Sequence, residues 1–349
     1  MTLEAAIIRP DDLILITGAT GFIGPAVIEG LLRHGYKNIR AFSRPSSNVT
    51  RLEEVATRYE GEALVEIIQG NLLSAEDCAA AAKGASVIIH LATSGSKSFP
   101  DAVMNSVVTT RNLLDASLQQ TCLRRFVNIS SFAVYSNTQS QALDESSPLE
   151  QPADLRGDAY TFAKLMQDDV VIDYGKRFDL PYVIVRPGSV YGPGKTGITG
   201  RVGIDTFGMF VHLGGSNRIP LTYLDNCADA IVLAAVTPGV DGEVFNVVDD
   251  DLPSSRKLLG LYKKNVRSFR SIYLPHAASF ALCWMWERYS AWSQGQLPPA
   301  FNRSRWRAEW KKTSYSNRKL KEKLGWRPRV AMNEGLERFF AGCQERRHA

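Results

Sequence analysis

The chain is poor in the residues that build cross-links, metal centres and membrane spans. Its five cysteines, Cys78, Cys122, Cys227, Cys283 and Cys343, stand far apart in 349 residues and form no CxxC pair. That spacing gives neither a disulfide framework nor a zinc site, and it points to a reducing compartment. The five histidines are equally scattered, so no metal is expected. No run reaches the roughly 18 apolar residues of a spanning helix. The nearest, Ala277–Trp286, contains Ser279 and ends at Glu287 and Arg288. The first residues, MTLEAAIIRPDD, have no basic start and no long apolar core, so no secretory leader is expected and the protein is read as cytoplasmic. The sequons at Asn48, Asn128 and Asn302 are then chance matches. No internal repeat and no low-complexity tract interrupts the chain.

What is present is an ordinary globular composition, 44% apolar and 22% charged. The length suits one large domain or two coupled ones. Net charge is +5 but unevenly placed: from Phe301 to Arg329 lie eleven Lys or Arg against Glu309 and Glu322 alone. The same end holds all six tryptophans. Three readings of Pro275–Arg329 are open. It is a solvated basic surface with Trp rings packed inward. It meets an anionic substrate, such as a nucleotide sugar, through Arg303, Arg305 or Arg307 with a ring on Trp306. Or it admits an apolar, steroid-like or lipid-linked substrate beside Phe280, Trp284 and Trp286, in peripheral contact with an anionic membrane.

The stretch LILITGATGFIG, Leu13–Gly24, organises the rest. Leu13–Ile16 reads as a strand buried on both faces. Gly18, Gly21 and Gly24 follow at spacings of three, a turn through which a phosphate can approach backbone. Phe22–His34 reads as a helix with Ile23, Val27, Ile28, Leu31 and Leu32 inward, Pro25 in its first turn and Gly35 at its end. Its free N–H groups would receive a pyrophosphate.

Strands are predicted at Asn38–Phe42, Leu64–Gln69, Val87–Leu91, Phe126–Ser130 and Tyr182–Arg186. Helices are predicted at Arg51–Tyr59, Ala75–Lys83, Asp101–Gln119 and Asp158–Phe178. This alternation implies a parallel, doubly wound α/β sheet. Beyond it, Asp205–Leu213 and Cys227–Val236 read as helices, and Leu221–Leu224 and Val244–Val248 as returning strands. From Asp249 on the chain reads as helical.

Tyr160 and Lys164, in YTFAK, lie one helical turn apart and share a face. A lysine ammonium beside a phenol favours phenolate and lowers its pKa. Ser131, at the carboxyl end of a strand, can hydrogen-bond a substrate oxygen. Arg44 closes the second strand where an acid would bond ribose hydroxyls; an arginine there favours a 2′-phosphate and hence NADP(H) over NAD. GPGKT, 192–196, is not a phosphate loop, because the leading Gly of GxxxxGK would fall on Ser189. His90 reads as a packed strand-end residue rather than a ligand.

With these motifs in order, the sequence resembles an extended short-chain dehydrogenase/reductase, of the epimerase/dehydratase type. The resemblance runs from Leu13 to about Phe340. It rests on TGATGFIG (17–24), GNL (70–72), HLA (90–92), SSFAVY (130–135), YTFAK (160–164), RPGSVYGPG (186–194), LDNCADAI (224–231), VFNV (244–247) and LGWRPRVAMNEGL (324–336). It implies a Rossmann-type domain over 11–187, with returning segments near 221–248, and a smaller substrate domain from 188–220 and 249–345. It implies catalysis by Ser131, Tyr160 and Lys164, with Tyr160 as acid/base and Lys164 on the nicotinamide ribose. Gly18, Thr20, Gly21, Phe22, Ile23, Gly24, Arg44, Asn71, Leu72, Ala92, Thr93, Pro187 and Val190 would line the cofactor. The chain departs from the pattern at Asn71, where the family more often has Asp. It departs again in MNSVVTTRNLL, where counting back from Asn112 puts Ser106 rather than Asn105 at the family's Asn position.

The expected activity is hydride transfer between NADP(H), or NAD, and a secondary alcohol or ketone. An epimerase is the alternative, and a catalytically silent cofactor-binding protein the alternative of another class. A 4,6-dehydratase is not expected, because Phe132 and Ala133 follow Ser131 where the related dehydratases carry Asp-Glu. The expected partner is a small molecule and not a nucleic acid, and a homodimer is compatible with the sequence. The substrate pocket is expected among Ser94–Phe99, Phe132–Thr138, Gly194–Ile219 and the basic C-terminal part.

Overall fold

Strand β1 (Ile14–Thr17) is buried along its whole length, as its apolar run requires. A computed structural model describes the chain at residues 6–139, 141–206, 208–294, 296 and 301–348. Around β1 lie β2 (Asn38–Ser43), β3 (Leu64–Gln69), β4 (Val87–His90), β5 (Arg125–Ile129), β6 (Tyr182–Pro187) and β11 (Val244–Val247). They form one seven-stranded sheet in the order β11-β6-β5-β4-β1-β2-β3, every pairing parallel. Strand order reverses between β1 and β4, so a crevice opens there at the carboxyl ends.

Helices cover both faces. On one, α1 (Gly24–Arg33) packs beside α2 (Thr50–Arg58) and α7 (Leu224–Val236) in a core with Val27, Ile28, Leu31 and Ile231. On the other, α3 (Ala75–Ala82), α5 (Thr109–Leu118) and α6 (Ala159–Phe178) enclose Leu15, Ile88, Phe126 and Ile184. Asp158 caps α6, accepting from the Thr161 N–H at 2.7 Å.

Two expected helices differ. Asp101–Gln119 is broken into α4 (Phe99–Ala102), a π-helical stretch at Val103–Val108, and α5. The extra residue of a π-turn shifts the side chains that follow, as such bulges do at functional sites. Asp205–Leu213 is no helix: β8 (Gly203–Thr206) and β9 (Met209–His212) run antiparallel. Gly208 turns between them at φ +73°, and a Cβ on Gly203 would lie 2.1 Å from the Val211 oxygen, so only glycine permits the strand contact. Phe207 lies outside the described residues. Strand β12 (Ser271–Tyr273) joins β9 in parallel, and β7 (Ser189–Tyr191) pairs with β10 (Leu221–Tyr223).

The later segments build on the sheet's carboxyl edge. Helices α8 (Ser255–Asn265) and α12 (Met332–His348) share a core with Tyr191, Leu221 and Tyr223. Helix α9 (His276–Trp292) contacts α10 (Arg303–Glu309). Helix α11 (Arg318–Leu324) returns to β11, and Trp310 and Trp326 are fully buried. Among the described residues no helix is long and apolar enough to cross a membrane.

Candidate active site

Two glycines set the turn after β1. Gly18 has φ +70°, and a Cβ on it would lie 2.7 Å from the Ala92 nitrogen. A Cβ on Gly24 would lie 2.2 Å from the Ala19 oxygen. The turn is therefore tight, Gly18 against the end of β4 and Gly24 against Ala19, and its residues border open space.

That space is a cavity of about 480 Å³ at the reversal point. Gly18, Thr20, Gly21, Phe22, Ile23, Gly24, Arg44, Asn71, Leu72, Ala92, Thr93, Pro187 and Val190 all line it, as do Ser131, Tyr160 and Lys164. Asn105 lines it too and donates to the Asp101 carbonyl at 3.1 Å. Ser106 instead turns inward, where its hydroxyl oxygen accepts from the Ser94 N–H at 2.9 Å. The π-turn thus presents Asn105 to the cavity and Ser106 to the structure. No Asp or Glu lines the cavity among the described residues, whereas Arg44 and Lys195 do. Such a lining suits a ligand with several phosphates, and the residues present fit a nicotinamide dinucleotide.

Sequence reasoning placed Lys195 only within the expected substrate pocket, and the structure puts it on the same cavity as the glycine turn. Its ammonium sits 5.1 Å from the Phe22 ring centroid, so the 192–196 loop reaches the glycine turn from across the cavity. The signal was its position next to RPGSVYGPG. His90 is packed, as expected: Nδ1 bonds the Thr17 hydroxyl at 2.7 Å and Nε2 the Thr110 hydroxyl at 2.8 Å. Burial, with the Lys164 charge nearby, pushes its pKa down to about 3, so it stays neutral.

At the other end of the cavity the Ser131 hydroxyl, which accepts from the Ala133 N–H at 3.1 Å, faces the same space as the Tyr160 phenol. Tyr160 is 38% exposed and forms part of the cavity wall. Burial of the phenol raises its pKa above the ordinary value, and the Ser131 hydroxyl offsets this only in part. The expected depression by Lys164 is therefore not present in the free protein. The reason is geometric: the Lys164 ammonium donates to the Ile129 carbonyl at 2.7 Å. Burial also pushes Lys164 down, to about 8, against the pull of Asp168.

Beneath these residues lies a polar network that sequence reasoning did not find. Asp168, one turn beyond Lys164, accepts from Asn128 Nδ2 at 2.9 Å, Ser130 Oγ at 2.8 Å and Arg186 Nη2 at 3.0 Å. Arg186 Nη1 donates to the Tyr135 hydroxyl, which donates to Asn246 Oδ1 at 2.8 Å. Asn128 and Arg186 were visible as polar residues inside otherwise apolar strands.

The basic C-terminal arginines are largely engaged. Arg303 pairs with Glu287 at 2.7 Å and Arg305 with Glu309 at 3.1 Å. Trp306 packs on Phe280 at 5.0 Å and donates from Nε1 to Ser279 Oγ at 2.8 Å. Helix α10 also touches the loop after β5: Ser304 Oγ donates to Glu150 at 2.7 Å, and Asn137 Nδ2 donates to the Arg307 carbonyl at 2.7 Å.

Comparison with known proteins places this geometry. Residues 14–247 match the model of the NAD dependent epimerase/dehydratase family. An uncharacterized UDP-glucose epimerase of Bacillus subtilis, YtcB, is 26% identical over 71% of this chain and 80% of its own. A 3beta-hydroxysteroid-dehydrogenase/decarboxylase (isoform 1) of Arabidopsis thaliana is 24% identical over 93% of this chain and 78% of its own. The structure of UDP-glucuronic acid 4-epimerase from Bacillus cereus, in complex with UDP-glucuronic acid and NAD, superposes with a TM-score of 0.71 at 23% identity. It covers 95% of this chain and 99% of that one, and the likeness is one of fold. The match over most of the sheet, from β1 to β11, shows that the chain belongs to the NAD-dependent epimerase/dehydratase family.

Proposed function

We propose that the protein is an NADP(H)-dependent oxidoreductase that interconverts a secondary alcohol and a ketone, with Tyr160 as the acid/base. One observation carries the reading: the glycine turn, Arg44 and the Ser131, Tyr160, Lys164 set all face a single cavity. A nicotinamide bound there supplies or accepts the hydride at the alcohol carbon. In reduction Tyr160 gives its phenolic proton to the substrate oxygen, and in oxidation it takes one back. Its raised pKa keeps it protonated at neutral pH, the state that reduction uses. Ser131, which lines the cavity beside Tyr160, would donate to the same oxygen. Lys164 lines the same cavity, and its ammonium, held by the Ile129 carbonyl, would hold the ribose hydroxyls. Phe132 is buried and stacks on Tyr315 at 5.8 Å, so the position after Ser131 moves no proton and a 4,6-dehydration is disfavoured.

A nucleotide-sugar epimerase is the second reading, favoured by the similarity to YtcB. Incubation with NADPH deuterated at the transferring position separates the two. Deuterium at the carbinol carbon of a reduced ketone, with net consumption of NADPH, supports the first. Inversion of a UDP-sugar with no net change in cofactor supports the second and overturns the first.

Cofactor choice gives a separate prediction. Arg44 lines the cavity just beyond β2 beside Ser43 and Ser47. Arg44→Ala is expected to weaken NADP(H) by about 1.5–3 kcal/mol, the worth of a charge-assisted contact, and NAD(H) much less. Calorimetric titration of both cofactors checks it. Equal losses show that Arg44 does not read the 2′-phosphate.

A further inference from the structure

Helix α9 is built inside out. A helix at a protein surface normally turns its large apolar residues inward. Here the inward positions are the small Ser279, Cys283 and Ser290. Outward stand Leu282, Trp284, Met285, Trp286, Tyr289 and Trp292, from 37% exposed at Trp286 to 77% at Trp292. Tyr289 stacks on Trp292 at 5.7 Å and lies 6.2 Å from Trp286, so the rings form one continuous surface. Single exposed apolar residues are ordinary, but a continuous aromatic face marks a contact surface. The helix cannot roll to hide it, because the inward Ser279 accepts from Trp306 Nε1.

The charged side chains that lie over the rings of α9 and of the strand before it are basic among the contacts described. The single acid of α9, Glu287, is engaged by the Arg303 N–H at 2.6 Å and Nε at 2.7 Å. Arg288 lies over Trp284 at 5.9 Å and Arg307 over Phe280 at 5.9 Å. On the strand that leads into α9, Ile272 and Tyr273 are exposed, Arg256 lies over Tyr273 at 5.6 Å, and Lys263 bonds the Ser271 hydroxyl. Tryptophan and tyrosine beside arginine and lysine is the pairing that suits the headgroup layer of a bilayer. A second copy of the chain would bring the same positive rim face to face with this one. At 17 residues and with this pattern, α9 does not span.

We propose that α9 is a peripheral membrane-docking helix. Its aromatic face enters the headgroup layer of an anionic leaflet, and Arg256, Lys263, Arg288 and Arg307 meet the lipid phosphates. The proposal does not depend on the hydride-transfer reading.

Flotation of the full chain tests it, with vesicles of phosphatidylcholine alone and of phosphatidylcholine mixed with phosphatidylserine. The chain should float with the mixed vesicles, less so at high salt, and its tryptophan emission should shift to the blue. Trp284→Ser/Trp286→Ser/Trp292→Ser should abolish flotation. Arg288→Ala should lower partitioning about fivefold, the effect of one basic residue near an anionic surface. All four positions are exposed, and an unchanged melting temperature verifies that the variants fold. Three outcomes overturn the proposal: no flotation on mixed vesicles, flotation indifferent to the triple variant, or a concentration-dependent dimer that the triple variant dissociates.

Discussion

Tyr160→Phe is expected to lower turnover by roughly 10²- to 10⁴-fold while leaving cofactor affinity unchanged. The substitution removes one oxygen and keeps the ring that forms part of the cavity wall, so it isolates proton transfer from packing. Ser131 and Lys164 remain on the cavity wall, with no phenol beside them to pass a proton. Single-turnover kinetics with pre-bound cofactor measure the chemical step directly. Near-normal turnover in the variant would falsify the acid/base assignment. The same assignment fixes a pH dependence for the wild type. Lys164 is pushed down to about 8 by burial, so its ammonium is present below that pH and lost above it. In the reducing direction kcat/KM should be level through neutrality and decline above about pH 8. The effect on stability has the opposite sign. A lysine whose folded pKa lies below its ordinary 10.5 binds fewer protons folded than unfolded, so its contribution becomes more favourable as pH rises from about 8 toward 10.5. Activity and stability should therefore diverge above pH 8, which a general loss of structure cannot produce.

The sheet was legible because parallel strands buried on both faces are near-continuous apolar runs, as in ILIT at β1 and VIIH at β4. The cavity lining was legible because glycine spacing and a strand-helix order fix where a backbone turn must stand. The failures have a common cause. The hairpin at Gly203–His212 is held by pairing with β12, some sixty residues further on, and no local period reports such a partner. The π-turn at Val103–Val108 keeps a helical pattern while adding a residue, so the pattern alone does not report that Asn105 lines the cavity and Ser106 bonds the Ser94 N–H. Lys164 was read against Tyr160 and a nicotinamide ribose, and the Ile129 carbonyl that takes its ammonium lies in a different element. The composition of α9 shows its tryptophans, but only the fold shows that they face outward. Polar residues in buried strands were the one clear signal left unused, and they lead to the second large effect.

Asp168→Ala is expected to destabilise the protein by roughly 3–5 kcal/mol, the cost of leaving a buried cation without its partner. The Asp168 and Arg186 side chains are 1% and 4% exposed and meet at 3.0 Å. Burial is the largest influence on the Asp168 carboxyl and raises its pKa; Arg186 and the Ser130 hydroxyl draw it back. The pair is therefore not a strong source of net stability over an apolar core. Its function is to hold Ser130 on the strand that leads into Ser131, and to set a negative charge one turn from Lys164. Removing the carboxylate alone leaves Arg186 and Lys164 buried without the acid they share, and strands Asn128 Nδ2 and the Ser130 hydroxyl. Replacing both partners, in Asp168→Leu/Arg186→Met, removes the charge that made the single change costly. The double variant should be less destabilised than the sum of the two singles, with a coupling of about 0.5–3 kcal/mol. Urea unfolding of the wild type, the two single variants and the double variant closes the cycle. A positioning function predicts one thing more that packing does not: the double variant, though folded, should lose turnover, and its decline at high pH should move, because Lys164 no longer feels Asp168. Additive losses, or a double variant with native turnover and an unmoved pH profile, would assign the network to packing alone.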